Sequence, residues 1–378
     1  MADERIYILW VGTVLGDEES IRNPAASPAA NRWQRELLSA LCRGNSELVL
    51  FSHVPQRIWP GGEFSPHRPP TGAEGFGTAT WLKYWNVLGF KSDSILAALK
   101  REFSAMVKRR GRPQAVVTYN PTRENVRFGL YCQEIFATPW IDLCADALDT
   151  GPTWDQYPAG ARHAWGHVFL SQYAFLQCPF PRKLHLDGGI KWLGGETPPS
   201  PPCHALLYTG MMTKWGGLEV LLRAFEQVAD TTVELWICGQ GENELLNQFK
   251  ERDRRLRVFG MLPSVELDEV CRRAAVFVNP RPASVEGGNM NFPSKLLHYL
   301  AFGKPVVSTL TPGVSDEYRR VVIEVPAEDE VALARALEQA LGLTREERDA
   351  YWQRIRAFAS ARTWDAHAKQ LLDWINSA

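Results

Sequence analysis

Apolar positions along this chain follow two alternating rhythms, short continuous runs and longer stretches in which roughly every third or fourth residue is apolar. Residues 6–11, 48–51, 115–118, 140–144, 168–170 and 183–186 are runs of the first kind and predict buried strands. The second rhythm predicts helices over 29–42, through Trp33, Leu37, Leu38 and Leu41, and over 94–108, through Ile95, Leu96, Leu99, Phe103, Met106 and Val107. A third helix is expected over 123–135. Strand alternating with helix is the pattern of the α/β class, with a parallel, doubly wound sheet. One break stands out: residues 54–80, which contain WPGGEFSPHRPPTG, read as a long loop without regular structure, and loops of that length are often functional.

The pattern stops at a proline-rich linker, GGETPPSPP at 194–202, and then restarts. Strands are predicted over 205–208, 233–238, 256–259 and 274–278, with another opening at Val306. Helices are predicted over 218–228, 242–250 and 265–273. Leu218, Leu221, Leu222, Phe225 and Val228 form a one-sided stripe suited to covering a sheet. The expected organisation is therefore two doubly wound, Rossmann-like domains, 1–193 and 204–361, joined by a linker at 194–203. A ligand is expected at the carboxyl ends of the strands, in a cleft that the domains face. Near the end, Thr344 with Glu347 fits a capping box, and Thr363 is placed to cap a last helix carrying Trp364, Ala368, Leu371, Leu372 and Ile375.

Composition narrows the classes without choosing one. The chain has 378 residues, more than one core usually serves, and its net charge of -1 gives no support to a nucleic-acid binder. Seven cysteines without a C-x-x-C pair argue against a disulfide framework or structural zinc. The opening MADERIYILW lacks the long apolar core of a signal peptide, and no apolar run approaches membrane-spanning length. The expectation is a cytoplasmic protein, with peripheral contact at the inner membrane face left open.

The richest chemistry lies in 279–309, NPRPASVEGGNMNFPSKLLHYLAFGKPVVST. A loop with Gly287, Gly288, Asn289 and Asn291 runs into a helix start marked by Pro293 and Ser294, where free amides attract an anion. Lys295 adds a positive charge where the helix dipole alone disfavours one, and that points to a bound anion. Arg281 suits a phosphate or a neighbouring carboxylate equally. Gly239 and Gly241 lack the third glycine of a dinucleotide fingerprint, so a tight strand-to-helix turn is their better account. His163 and His167 have helical metal-ligand spacing but no third ligand, and read as two unrelated histidines.

Taken in order, YTGMMTKWGGLEVLLRAF at 208–225, LWICGQGE at 235–242, VFGMLP at 258–263, AAVFVNP at 274–280 and FPSKLLHYLAFGKPVVST at 292–309 resemble the donor-binding domain of retaining glycosyltransferases of the GT-B fold. That large family includes sucrose synthases and many bacterial polysaccharide-building enzymes. SPAANRWQRELLSAL at 27–41 and IDLCADALD at 141–149 are similar, more loosely, to its acceptor domain. The resemblance implies a C-terminal helix, 362–378, crossing back onto the first domain. It implies a nucleotide-sugar donor, a glycan, lipid-linked or small-molecule acceptor, and a diphosphate leaving group held by Lys295 and the amides of Asn291 to Ser294. Gly210 and Lys214 in the loop after the first strand, Gly239, and the backbone of Gly260, Met261 and Leu262 would border the nucleotide.

The resemblance also has departures. Two glutamates separated by seven residues in the family are replaced here by Met290 and His298, although Phe292 matches the aromatic between them. His298 is expected on the ribose, and Glu286 is a candidate stand-in for the first glutamate. An aligned arginine and lysine become Met211 and Gly216. Asp142 and Asp146 stand where polar residues end a strand in the first domain, and Asp146 is a candidate to orient or deprotonate the acceptor hydroxyl. No D-x-D motif occurs, so no metal and no cofactor are expected. The expectation is a retaining, metal-independent glycosyltransferase. A non-enzymatic homologue that binds nucleotide or glycan as a partner subunit is the alternative, and a sugar-nucleotide epimerase ranks third.

Overall fold

The structure, a computed structural model, describes residues 5–66, 76–145, 157–200, 203–241, 244–284 and 288–377, and at Lys214 the backbone alone. The chain divides into two compact units, one of Met1–Gly188, Met290–Phe292 and Trp364–Ala378, the other of Gly189–Asn289 and Pro293–Thr363.

In the first unit, β1 (Ile6–Val11), β2 (Ser46–Ser52), β3 (Thr78–Trp81), β4 (Ala115–Tyr119), β5 (Trp140–Cys144), β6 (Gly166–Phe169) and β7 (Lys183–His185) form a parallel sheet in the order β3-β2-β1-β4-β5-β6-β7. All the residues of β4, β5 and β6 are buried, which is why these strands read as unbroken apolar runs rather than alternating ones. β3 was not expected. Its sequence, TATW, is too short and too close to the proline-rich stretch to register as a run, and it is recruited by pairing alone, Val49 opposite Thr78 and Phe51 opposite Thr80.

Helices follow their local signals. α1 (Asp17–Arg22) precedes α2 (Pro28–Arg43), where Pro28 occupies the first turn and the Ser27 hydroxyl accepts from Ala30 N at 3.3 Å. α3 (Lys91–Arg110), α4 (Arg123–Phe136) and α5 (Gln172–Gln177) complete the local helices, and the last helix, α12 (Trp364–Asn376), packs on α2. There Trp364 meets Trp33 edge to face at 5.7 Å. Arg182 lies 4.9 Å from the Trp374 ring centroid and donates to the Trp374 carbonyl at 2.7 Å, so α12 is held by a cation–π contact as well as by its apolar stripe.

The second unit holds β8 (Ala205–Thr209), β9 (Glu234–Cys238), β10 (Leu256–Gly260), β11 (Val276–Asn279), β12 (Val306–Ser308) and β13 (Ile323–Glu324), all parallel, in the order β10-β9-β8-β11-β12-β13. Its helices are α6 (Leu218–Glu226), α7 (Glu244–Arg252), α8 (Ser264–Arg273), α9 (Lys295–Leu300), α10 (Glu330–Leu341) and α11 (Arg345–Ala361). The stripe Leu218, Leu221, Leu222 and Phe225 is buried against the sheet core. α11 opens with the capping box its sequence indicates: Thr344 Oγ1 accepts from Glu347 N at 3.2 Å, and Glu347 Oε2 accepts from Thr344 N at 2.8 Å.

One buried lysine serves the fold. Lys304 Nζ donates to the carbonyls of Cys271, Arg272 and Ala274 at 2.9, 2.6 and 2.6 Å, closing the orphaned carbonyl end of α8 just before β11. Burial pulls its pKa down to about 8, so at neutral pH it remains mostly a cation against those dipoles. Lys304→Met keeps the buried stem and leaves the carbonyls unsatisfied. Urea unfolding is expected to show a loss of about 2–4 kcal/mol, and an unchanged midpoint would remove the lysine from this role.

Candidate functional site

The sheet order of the second unit reverses direction between β8 and β11, and at such a switch point the connections leaving the two strands diverge and open a crevice at their carboxyl ends. Here the loops meet closely because glycines allow it. Gly239 has φ +149° and lies so near the loop after β8 that a Cβ on it would stand 1.8 Å from the Gly210 carbonyl. Gly217, at φ +76°, would put a Cβ 1.7 Å from the Pro280 carbonyl, which ties the start of α6 to the end of β11. Hydrogen bonds from Gly210 N to Cys238 O at 2.9 Å and from Gly239 N to Gly260 O at 2.8 Å continue this edge across three strands.

Two tyrosines hold the crevice floor. Tyr208, buried at the end of β8, donates its hydroxyl to Met211 O at 2.6 Å and so fixes the turn above itself. Tyr299 stacks on Phe277 with centroids 4.8 Å apart, and its hydroxyl oxygen accepts from Thr209 N at 2.8 Å, which locks α9 beneath β8 and β11. One turn earlier on the same helix, Lys295 is aimed at the crevice. Its Nζ lies 4.5 Å from the Tyr208 ring centroid and 2.9 Å from the point a Cβ on Gly210 would occupy. Burial, and secondarily the positive charge of Arg281, press the Lys295 pKa down to about 7. Two cations thus converge at the switch point. Polar atoms that are buried without a partner, Thr213 Oγ1, Asn279 Oδ1 and Thr311 Oγ1, follow the carboxyl ends of β8, β11 and β12, the edge a polar ligand would complete.

The sequence candidates divide accordingly. Gly210, Gly239, Arg281 and Lys295 are brought together. Gly260 adjoins Gly239 through the hydrogen bond above, has φ +71° with open space where a side chain would stand, and is followed by exposed Met261 and half-buried Leu262. Ser294 is the N-cap of α9, but its side chain makes no capping bond and the helix spans only Lys295–Leu300. A helix that short contributes little dipole, so the anion affinity expected of its amides falls mainly to side-chain charge. His298 is engaged by Asp268 of α8, Nε2 to Oδ1 at 2.9 Å, and lies edge-on to Phe302.

Met290, Asn291 and Phe292 group with the first unit: Met290 joins an apolar cluster with Trp140, Tyr157 and Phe169, while Asn291 Oδ1 is buried without a partner. Asp146, Glu286 and the Lys214 side chain lie outside the described residues. Sequence reading missed Tyr208, Tyr299, Asn279 and Asp268. The first two were quoted within matching blocks, yet an apolar-run criterion hides a hydroxyl at the end of a buried strand.

In the first unit, Asp142 is wholly buried in β5 and accepts a hydrogen bond from the Tyr157 hydroxyl, while its Oδ1 has no partner. Burial raises its pKa to about 7, with the Tyr157 bond opposing. His167, opposite it on β6, stacks on Phe180 at 4.4 Å and is driven down to about 4 by burial. His163 sits exposed in a separate 3₁₀ turn, so the two histidines are unrelated. Asp142 is an acid hydrogen-bonded inside the core.

Two all-parallel sheets, each reversing at a switch point, make this chain a GT-B protein, with a cationic crevice in the second unit. Residues 203–342 match the model of the family glycosyl transferases group 1. Among solved structures the chain is similar to sucrose-phosphate synthase from Thermosynechococcus elongatus (TM-score 0.69, 16% identity, 99% of each chain covered). It is similar to HepE of Anabaena in complex with UDP-glucose (TM-score 0.68, 12% identity, 99% of this chain and 100% of that one). A third likeness is to the catalytic domain of starch synthase IV from Arabidopsis thaliana bound to ADP and acarbose (TM-score 0.65, 10% identity, 99% of each). No curated protein matches the chain.

Asp142 yields a pH prediction. With its carboxyl pKa raised from 3.8 to about 7 in the fold, the folded state binds the extra proton between those values. Its contribution is therefore complete below about pH 4 and is lost as pH rises through about 7. Asp142→Asn retains an acceptor for Tyr157 and cannot ionise. Relative to wild type, it is expected to gain urea resistance on going from pH 5 to pH 8, by a few kcal/mol at most. A difference that is flat with pH would show that Asp142 is not a buried acid.

Proposed function

We propose that the chain is a retaining glycosyltransferase that takes a sugar from a nucleoside diphosphate donor, without a metal ion, and passes it to a glycan, lipid-linked or small-molecule hydroxyl. The observation that carries this reading is the Lys295 ammonium held over the Tyr208 ring, with the charge of Arg281 acting on it, at the switch point of the segment that matches glycosyl transferases group 1. Cleavage of the anomeric bond leaves added negative charge on the diphosphate. Two fixed cations in a partly dehydrated crevice stabilise that charge more than they stabilise the donor, which is the condition for catalysis. They also supply the countercharge that a divalent ion supplies elsewhere.

Complexes of the similar folds support the donor class: HepE was solved with UDP and with UDP-glucose, and starch synthase IV with ADP. Retention rests on the sequence blocks. With no nucleophile pair in evidence, the departing phosphate accepts the proton of the incoming hydroxyl on the same face of the sugar. The ribose role falls to His298. Asp268, accepting from Nε2, would hold the tautomer whose Nδ1 is an acceptor for a ribose hydroxyl.

A second reading, a homologue that binds nucleotide without turning it over, is favoured by the placement of Met290 in an apolar cluster, because the family's first glutamate then has no replacement among the described residues. Calorimetry with UDP-, ADP- and GDP-sugars, followed by transfer assays on acceptor extracts, separates the two. Absence of binding to every donor defeats both readings, whereas binding with neither hydrolysis nor transfer leaves only the second.

Two further outcomes are expected of Lys295. Lys295→Met should weaken nucleoside diphosphate binding by roughly 1.5–3 kcal/mol, about tenfold to a hundredfold, as loss of a charge-assisted contact does. Because the group is half deprotonated near pH 7 and must be charged in the complex, wild-type affinity should fall as pH rises from 7 toward 9, by up to about tenfold per unit. Proton uptake, read by calorimetry in buffers of different ionisation enthalpy, should accompany binding in that range and vanish in Lys295→Met. A pH-independent affinity would falsify the assignment.

A further inference from the structure

The loops beyond β2 and β3 carry an exposed apolar surface that the donor site does not use. Leu88 is 77% exposed, Phe90 65% and Trp85 61%, and Trp59 and Phe64 are each about half exposed, their rings edge to face at 6.2 Å. These side chains are presented by a built scaffold. Asn86, wholly buried, donates to the carbonyls of Arg57 and Glu63 at 2.6 and 2.9 Å; its backbone N–H donates to Phe64 O at 2.7 Å and its carbonyl accepts from Trp59 N at 3.0 Å. The Tyr84 hydroxyl donates to Val54 O at 2.7 Å, and Lys91 Nζ to Gln56 O at 2.7 Å. These bonds join the two loops, and the large apolar side chains are turned to water. Nothing in folding requires that exposure, which forgoes about 25 cal/mol for every Å² left wet.

We propose that this surface docks peripherally on an anionic lipid bilayer. Two tryptophans beside Leu88 and Phe90 match the interfacial pattern, amphipathic rings at headgroup depth and purely apolar side chains at acyl depth. Carbohydrate platforms use flat rings with polar rims, and the most exposed members here, Leu88 and Phe90, offer neither. Charge agrees: among the described residues of 54–66 and 76–91 the charged ones are Arg57, Lys83, Lys91 and Glu63, with Arg57 and Lys83 exposed beside the apolar tips. No helix among the described residues is long and apolar enough to cross a membrane. The inference goes beyond the proposed transfer reaction and does not depend on it.

Co-sedimentation of the full chain with phosphatidylcholine vesicles, and with vesicles that also contain phosphatidylglycerol, tests it. Partition is expected into the second kind at least about tenfold better than into the first, with a blue shift of tryptophan emission. The triple substitution Trp85→Ser, Leu88→Ser, Phe90→Ser should lower that partition by at least about tenfold while leaving the thermal midpoint near that of wild type, because all three side chains are exposed. If a triple variant fails to fold, Lys83→Glu with Arg57→Glu offers a second route and should abolish the preference for phosphatidylglycerol. Absence of partition into either vesicle overturns the proposal, as does a folded triple variant that partitions like wild type. Tryptophan emission that responds to soluble oligosaccharides but not to vesicles would make the surface a glycan platform instead.

Discussion

The second unit is organised around the placement of one ammonium group, that of Lys295, against a tyrosine face and beside a second cation. Bringing like charges together in a dehydrated crevice is unfavourable, and the depressed pKa of Lys295 measures that cost. The arrangement persists because the backbone leaves the side chain little alternative. Tyr299 pins α9 to β8 through Thr209 and stacks on Phe277, and Lys295 lies one helical turn from that anchor. Gly210 and Gly239 then let two loops approach until neither tolerates a side chain, and the Lys295 ammonium lies against Gly210. The positive site follows from strand order, through packing, to charge.

The two units use the same topological device to different ends. In both, the sheet reverses beside its first strand, at β1 and β4 in one and at β8 and β11 in the other. The second unit gathers cations and unpartnered polar atoms at its carboxyl edge. The first keeps its titratable groups inside, with Asp142, Tyr157 and His167 in the core and the ionised forms of all three disfavoured by burial. It presents apolar rings on the loops that follow β2 and β3. A shared fold therefore says little about chemistry, which resides in the side chains at each edge.

Fold and site were legible to different degrees, for physical reasons. Buried parallel strands announce themselves as continuous apolar runs because helices cover both faces, and the capping box at Thr344 and Glu347 is a local pattern with a local cause. β3 escaped because a four-residue edge strand is stabilised by pairing with β2, a contact remote in sequence. At the site, Lys295 was visible as a charge in an unfavourable position, but the reason assigned to it shifts: α9 is too short for its amides to dominate, and Arg281 shares the work. The Asp268–His298 pair spans 30 residues between separate helices, and no spacing rule reports it. Asp142, placed at a strand end by the resemblance, proved to be a core acid in the middle of β5, although the strand itself was read with its observed bounds.

Lys295 and Lys304 show how a structure separates an unmatched cation from a saturated one where composition cannot. Both are lysines of the same sequence block, both are drawn from water, and both have lowered pKa values. The Lys304 nitrogen is saturated, with three carbonyls at 2.6–2.9 Å, and any further ligand would have to displace them. Among the described residues, none is hydrogen-bonded to the Lys295 nitrogen; its neighbours are an aromatic face, a glycine and another cation. A buried charge whose donors are unmatched by protein is tolerable where an external anion matches them for part of the working cycle. On the proposed reading, a diphosphate would supply that charge and those acceptor oxygens.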